Sequence, residues 1–299
     1  YGQEKVEYNA QLCLMNMAVL GLNGKIVSGD EANSFYHDAY NLEGKCDYVM
    51  ANPPFNVDKV KSESAWAAGR LPFGLPGVNA KSKEIGNANY LWISYFYAYL
   101  NDHGRAGFVM ASSATDSANK DRDIREKLVR TGDVDVMVSV GNNFFYTLSL
   151  PCSLWFFDKA KRAENRDKVL FIDARNYYTV VDRTLNEWTE WQLRNLQAIV
   201  HLYRGEKEKY QALLNDYRQV LGDITVASAQ AALDKQKTEA KEAIANASRK
   251  DKKRIEAEMK AMEDALEDTL ETARQYEWLT EKFGEGEYKD VLGLCKIAT

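Results

Sequence analysis

The stretch Asp47-Tyr-Val-Met-Ala-Asn-Pro-Pro-Phe55 decides how this chain is read. An apolar run, Asp47–Ala51, stops at Asn52-Pro53-Pro54-Phe55. Such a run reads as a strand buried on both faces, as in a parallel sheet. Asn-Pro and Pro-Pro are turn dipeptides, so an ordinary strand-ending turn would explain the same four residues. They also carry chemistry. Two consecutive prolines fix the backbone and remove two N–H donors. The Pro53 carbonyl can then face a ligand with no competing donor beside it, and the Asn52 side-chain oxygen is a second acceptor. Together they suit both hydrogens of an exocyclic amine. Phe55 adds a flat face on which a planar base can stack, worth about 1–3 kcal/mol.

Working outward, helix-like and strand-like patterns alternate. Lys5–Leu20 has apolar residues at helical spacing (Leu12, Met15, Val19) and ends at Gly21-Leu-Asn-Gly24,. Lys25–Ser28 reads as a strand running into Gly29-Asp30. Asn56 to Gly86 reads as a long irregular loop, a length usually associated with function. Ala88–Leu100 reads as an aromatic-rich helix, Phe108–Ala111 as a strand, and Arg122–Val129 as a helix. Val134–Val140, Cys152–Phe157 and Val169–Asp173 read as further strands. This order predicts an α/β fold with a mainly parallel sheet over residues 1–185.

Residues 186–299 follow other rules. No proline occurs after Pro151, and only five of the 18 glycines lie beyond residue 150. Ala, Glu and Lys, strong helix formers, dominate. Ile255, Met259, Met262, Leu266, Thr269/Leu270, Ala273 and Tyr276 form a heptad-like seam. Leu213, Tyr217, Val220/Leu221 and Ile224 form another. Ser248–Lys253 is either a turn between antiparallel helices or an exposed stretch of one long helix. The region is either a bundle packed on its own domain or an arm that docks a partner.

Composition narrows the classes. The chain has 299 residues, 45% of them hydrophobic, and a formal net charge of -5. That excludes global disorder and argues against a broad basic surface gripping phosphates unaided. No apolar run is long enough for a membrane span. Cys13, Cys46, Cys152 and Cys295 are dispersed and form no close ligand pair, so neither a zinc site nor a disulfide framework is expected,. Free thiols suit a reducing cytoplasm.

Asn52-Pro-Pro-Phe55 after a strand resembles the catalytic motif of adenine-N6 DNA methyltransferases. Neighbouring segments resemble one branch, the modification (M) subunits of type I restriction-modification systems. These are Tyr1-Gly-Gln-Glu4, Gly29-Asp30, Gly86-Asn-Ala-Asn-Tyr90, Gly104-Arg-Ala-Gly107, Phe144-Phe-Tyr-Thr147, Val169–Arg175 and Tyr288–Cys295. Asn-Ala-Asn-Tyr departs from the usual Asn-Ala-Asp-Tyr. The ordered set is specific and covers most of the chain.

The resemblance implies a Rossmann-like methyltransferase fold using S-adenosyl-L-methionine. Glu4 would bind the cofactor's ribose, Asp30 its adenine amino group, and Asn52 would adjoin both cofactor and target. Asn52, Pro53, Pro54 and Phe55 would form the catalytic motif. Phe55 would stack on a base flipped out of DNA, with Phe145 or Phe144 on the other face, and Asn89 and Tyr90 would shape the pocket. Implied partners are DNA, a specificity subunit, a second M subunit and an optional restriction subunit, with residues 186–299 serving assembly. The family's N-terminal helical domain and glycine-rich cofactor loop would precede Tyr1. The chain is therefore expected to be a fragment that binds the cofactor poorly alone. Other amines (cytosine N4, an RNA base, a protein Gln) and a non-catalytic scaffold remain alternatives.

Overall fold

The computed structural model describes residues 1–146, 149–248 and 250–299. Thr147, part of one family-like segment, and Arg249, within the expected inter-helix turn, lie outside the described residues. Two compact units divide the chain: residues 1–176 with 297–299, and residues 177–296. The sequence pattern places its change of character later, at 185/186.

The first unit begins with β1 (Gly2–Glu4), α1 (Glu7–Val19) and β2 (Ile26–Ser28); β1 and β2 pair in parallel. Then come β3 (Cys46–Ala51), β4 (Val60–Lys61), α2 (Ser62–Ala67), β5 (Glu84–Ile85), α3 (Asn89–Tyr99) and β6 (Leu100–Ala111). α4 (Asn119–Arg130), β7 (Val134–Val140), β8 (Cys152–Asp158) and β9 (Val169–Asp173) follow. The second unit holds β10 (Thr179–Val180), β11 (Asn186–Glu187), α5 (Glu190–Tyr203), α6 (Lys207–Leu221), α7 (Val226–Asn246) and α8 (Lys252–Phe283). The closing strand, β12 (Cys295–Ala298), joins the main sheet.

That sheet has six strands in the order β12-β9-β7-β8-β6-β3. β3 pairs with β6 in parallel, and β7 with β9 in parallel. β8 runs antiparallel to both β6 and β7. β3, β6, β7 and β9 therefore point one way, with β8 inserted against them. The expected α/β sheet forms, as a mixed sheet. Gly104 serves the β3–β6 approach, since a Cβ there would stand 2.6 Å from the Cys46 carbonyl oxygen.

α3 supplies the centre of the core. Every residue from Asn89 to Phe96 is buried, as suits a helix apolar all round. It packs with Ile124 and Leu128 of α4 and with Phe108, Trp155 and Phe157 of the sheet.

One expectation fails. Asp47–Ala51 is not buried on both faces: Tyr48 is 79% and Met50 92% exposed. Tyr48 and Met50 share one face of the strand, which is left open, while Val49 and Ala51 on the other face pack against the core,. α1 forms where the spacing places a helix, yet Leu12, Met15 and Val19 are all exposed and only Ala10 is buried. Periodicity marks a helix, but burial depends on what packs against it.

The Asn56–Gly86 stretch is more ordered than its composition suggests. β4 and β5 pair antiparallel. Lys127 Nζ donates to the Phe73 carbonyl at 3.0 Å. Arg70, only 2% exposed, donates to Tyr99 Oη at 2.8 Å and lies 4.3 Å over the Tyr95 ring. A buried guanidinium needs such partners to offset its desolvation.

In the second unit, Thr189 and Thr225 cap α5 and α7 with reciprocal side-chain bonds to Gln192 and Ser228,. α7 and α8 form an antiparallel hairpin, shown by Lys237–Glu267 at 2.8 Å and Arg274–Gln230 at 3.2 Å. α7 ends at Asn246 and α8 begins at Lys252, so these are two helices and not one. Ala229, Leu233 and Leu270 form the seam's buried centre, while Met262 is 51% exposed. Leu213, Tyr217 and Leu221 of the other seam are buried, but Val220 and Ile224 are exposed.

Gln236 is buried on this hairpin, with its Nε2 3.5 Å and 3.8 Å from the sulfurs of Met259 and Met262. Thioethers are weak acceptors, so the amide recovers little of its desolvation. Gln236→Leu is expected to stabilise the protein by about 0.5–1 kcal/mol. A lowered thermal midpoint would show that the amide contributes more than its sulfur contacts.

No helix among the described residues is long and apolar enough to cross a membrane.

Candidate active site

β1 and β3 belong to separate sheets but flank the same space. One cavity, about 180 Å³, is lined by Tyr1–Gln3 and Cys46, Tyr48–Ala51. The next, about 730 Å³, is lined by Gly2–Lys5 and Met50–Pro54. The carboxyl ends of both strands open into the larger cavity. Ligand sites in open α/β sheets characteristically lie at such ends.

Asn52, Pro53 and Pro54 line one side of this cavity and Glu4 another. Asn52 is exposed and Pro53 buried. Glu4 Oε1 accepts the Val6 N–H at 2.8 Å. One carboxylate oxygen thus does the work of a strand-end cap while the residue still lines the cavity. Asp30, exposed on the turn after β2, is not among the lining residues; Gly29, with φ of +85°, turns the chain there.

Residues not singled out from the sequence complete the wall. Asn33, Ser34, Phe35 and Trp92 all line it. The Phe35 and Trp92 rings lie 4.3 Å apart. Tyr95 Oη holds the Phe35 carbonyl at 2.9 Å, and Gln3 reaches Ser34 Oγ at 3.3 Å and accepts the Ala39 N–H at 3.0 Å. Phe35 and Trp92 stand 57 positions apart in sequence, with no shared motif; the only local hint is Phe35 itself, an aromatic residue just beyond Gly29-Asp30.

Phe55 and Phe145 meet edge to face, centroids 6.3 Å apart at 75°. A base sandwiched between two parallel rings needs about 7 Å, twice the usual carbon contact distance. In this arrangement the two rings contact each other, so one must turn to admit a base. Phe144 is half-buried in the same loop, whose ends are tied by Ser149 Oγ to Asn143 Oδ1 at 2.6 Å and by Ser112 Oγ to the Pro151 carbonyl at 3.0 Å.

Tyr90 is fully buried and braces the segment after β6. Its hydroxyl donates to the Ala114 carbonyl at 2.6 Å and accepts from Arg125 Nη1 at 2.9 Å. Burial raises its pKa, with Arg125 opposing, so the phenol stays a donor at neutral pH,. Tyr90→Phe is expected to cost about 1–2 kcal/mol and to speed amide hydrogen exchange across residues 114–117. Unchanged exchange there would show that the hydroxyl does not hold the segment.

Among the described residues no group of three His, Cys, Asp or Glu side chains is placed to hold a metal.

The N-6 DNA methylase family model matches residues 1–220. The chain belongs to the N-6 DNA methylase family. A type I restriction enzyme methylase subunit (MjaIX) of Methanocaldococcus jannaschii is 36% identical over 70% of this chain. The HindI methylase subunit of Haemophilus influenzae is 29% identical over 68%. The chain spans 37% and 44% of the lengths of these two relatives. Among solved structures, a type I restriction-modification methyltransferase subunit from Streptococcus thermophilus superposes with a TM-score of 0.58 at 23% identity. That match covers 67% of this chain and 41% of the other, and shows the shared fold. The fold class and family expected from the ordered motifs are those found.

Proposed function

We propose that this N-6 DNA methylase chain is part of a type I modification subunit that methylates adenine N6 in DNA, using S-adenosyl-L-methionine. The observation that carries the reading is a shared cavity: the exposed Asn52 and the rigid Pro53-Pro54 pair open into the same space as Glu4, beside the Phe55–Phe145 ring pair. The cavity's 730 Å³ suits a nucleoside-sized cofactor,. Glu4 supplies a carboxylate for ribose hydroxyls, and the Phe35–Trp92 wall a surface for a purine. Asp30, at the rim, is the proposed partner for the cofactor's amino group.

The bound cofactor would supply an electrophilic methyl on a sulfonium. The chain's own residues prepare the nucleophile. Asn52 Oδ1 and the Pro53 carbonyl accept the two amine hydrogens, which turns the nitrogen lone pair toward the methyl. The same two acceptors disperse the positive charge that develops on the nitrogen, stabilising the transition state more than the ground state. No strong base is needed before attack, because the amine loses its proton after becoming cationic. Phe55 stacks on the base, with Phe145 (or Phe144) turning to cover its other face. Flipping the base from duplex DNA costs a few kcal/mol, offset by these contacts.

A net charge of -5 makes unaided duplex binding weak,. We assign phosphate contacts and sequence reading to partners: a specificity subunit, a second M subunit and, in the restricting complex, a restriction subunit. The helical unit with its α7–α8 hairpin is the assigned assembly surface. Full-length subunit with its specificity partner should label adenine N6 from labelled S-adenosyl-L-methionine, read by mass spectrometry of digested DNA. Label on cytosine N4, RNA or protein glutamine would overturn the substrate assignment. No label on any of them would favour a scaffold.

A further inference from the structure

Asn56 follows Phe55 directly and takes a left-handed backbone conformation, φ +54°. Asparagine tolerates this region better than most non-glycine residues. Three asparagine side chains meet there. The Asn89 N–H donates to Asn87 Oδ1 at 2.9 Å, and Asn87 Nδ2 donates to Asn56 Oδ1 at 3.0 Å. The Asn56 N–H donates to Asn89 Oδ1 at 2.9 Å, and Asn89 Nδ2 donates to Asn56 Oδ1 at 2.9 Å. The Ala88 N–H adds a bond to the Val57 carbonyl, also 2.9 Å.

This circuit has one consistent direction. A backbone N–H can only donate, so the two backbone donors fix which end of Asn87 and Asn89 is the carbonyl. Both remaining NH2 groups then converge on Asn56 Oδ1. Flipping any one amide sets donor against donor or acceptor against acceptor. Asn89 is 2% exposed and is the first residue of α3, the helix at the centre of the core. The core thus reaches the turn beside Phe55 through the Asn89 side chain, with the Ala88–Val57 backbone bond next to it.

We infer that Asn89 is a positioning residue for the target base. It clasps Asn56 in its left-handed turn, and through that turn sets the Phe55 ring and the Pro53 carbonyl. This rests on the methylation reading above. A misplacement of about 1 Å in such a site can cost about 100-fold in rate.

The test uses full-length subunit with its specificity partner, and DNA carrying 2-aminopurine at the target adenine for the flipping assay. Asn89→Leu should lower kcat about 10- to 100-fold while the KM for S-adenosyl-L-methionine stays within about twofold, the signature of a contact that matters in the transition state. The flipped 2-aminopurine should fluoresce more strongly than with the parent enzyme, because a displaced Phe55 stacks on it less. Asn56 is exposed, so its variants test the same idea without a folding risk. Asn56→Gly accepts a positive φ freely and Asn56→Ala does not, so the glycine variant should keep several-fold more activity. Parent kcat and fluorescence in Asn89→Leu, or equal activity in Asn56→Ala and Asn56→Gly, would overturn the clasp. If Asn89→Leu fails to fold, the Asn56 pair decides alone. Asn52→Ala and the parent assembly run alongside separate the claims: no label from the parent assembly sinks the methylation reading itself, parent methylation in Asn52→Ala sinks the assignment of the chemistry to the Asn52 turn, and loss there with a fully active Asn89→Leu sinks only the clasp.

Discussion

Asn52→Ala should lower kcat for adenine methylation by about 100-fold or more, the range seen when one preorganised hydrogen-bonding group is removed from a polar active site. Asn52 is exposed and sits at the end of β3, so stability should change by no more than about 0.5 kcal/mol. Loss of rate at unchanged stability separates a chemical role from a structural one. Asn52→Asp keeps an acceptor for the amine and should retain more activity than Asn52→Ala. Phe55→Ala should act differently, raising the KM for DNA by losing about 1–3 kcal/mol of base stacking. The measurements are steady-state kinetics of the assembled full-length enzyme and thermal unfolding of each variant. A fully active Asn52→Ala would remove the basis for assigning the chemistry to this turn.

Asn195→Leu should be the most destabilising change in the helical unit, costing about 3 kcal/mol or more because several buried groups lose partners at once. Asn195 is fully buried. Its Nδ2 donates to the Tyr177 hydroxyl at 3.1 Å and to the Gln275 carbonyl at 3.1 Å, and its Oδ1 accepts from the Tyr217 hydroxyl at 2.9 Å. Burial pushes the pKa of Tyr177 and of Tyr217 up, so both phenols stay protonated at neutral pH. Rings close the network: Tyr177 stacks on Trp278 at 4.3 Å, and Trp191 on Tyr217 at 4.1 Å. Leucine matches the volume but leaves the buried Tyr217 hydroxyl without its acceptor and takes a donor from the Gln275 carbonyl and the Tyr177 hydroxyl, which keeps its own bond to Gln275 Oε1,. Urea denaturation followed by helix circular dichroism measures the effect. An unchanged midpoint would show that the network rearranges around the lost amide.

Much of the candidate site was legible because the chemistry proposed for it is local. Asn52-Pro53-Pro54 carries two acceptors and a stiff backbone in consecutive residues, whereas Glu4 is marked only by the resemblance of Tyr1–Glu4 to a family motif. Phe145 was legible only as one of two adjacent aromatics; its contact with Phe55 joins segments 90 positions apart. Trp92 reads as one more apolar residue of an aromatic helix, and only packing turns it toward the cavity. Asn56 and Asn87 look like ordinary loop residues. Their roles depend on amides brought together across some thirty residues, and no periodicity reports that.

By itself the sequence determined the order of the longer strands and helices up to Asp173, the stop at Pro53-Pro54 and the mainly helical character of residues beyond 186. These follow from propensity, proline geometry and apolar spacing, which act between near neighbours. Tertiary structure alone decided that β3 is an edge strand with Tyr48 and Met50 exposed, that β8 runs against its neighbours, and that three asparagine amides share one hydrogen-bond direction. Burial and amide orientation are set by whatever packs alongside, and those neighbours come from distant parts of the chain.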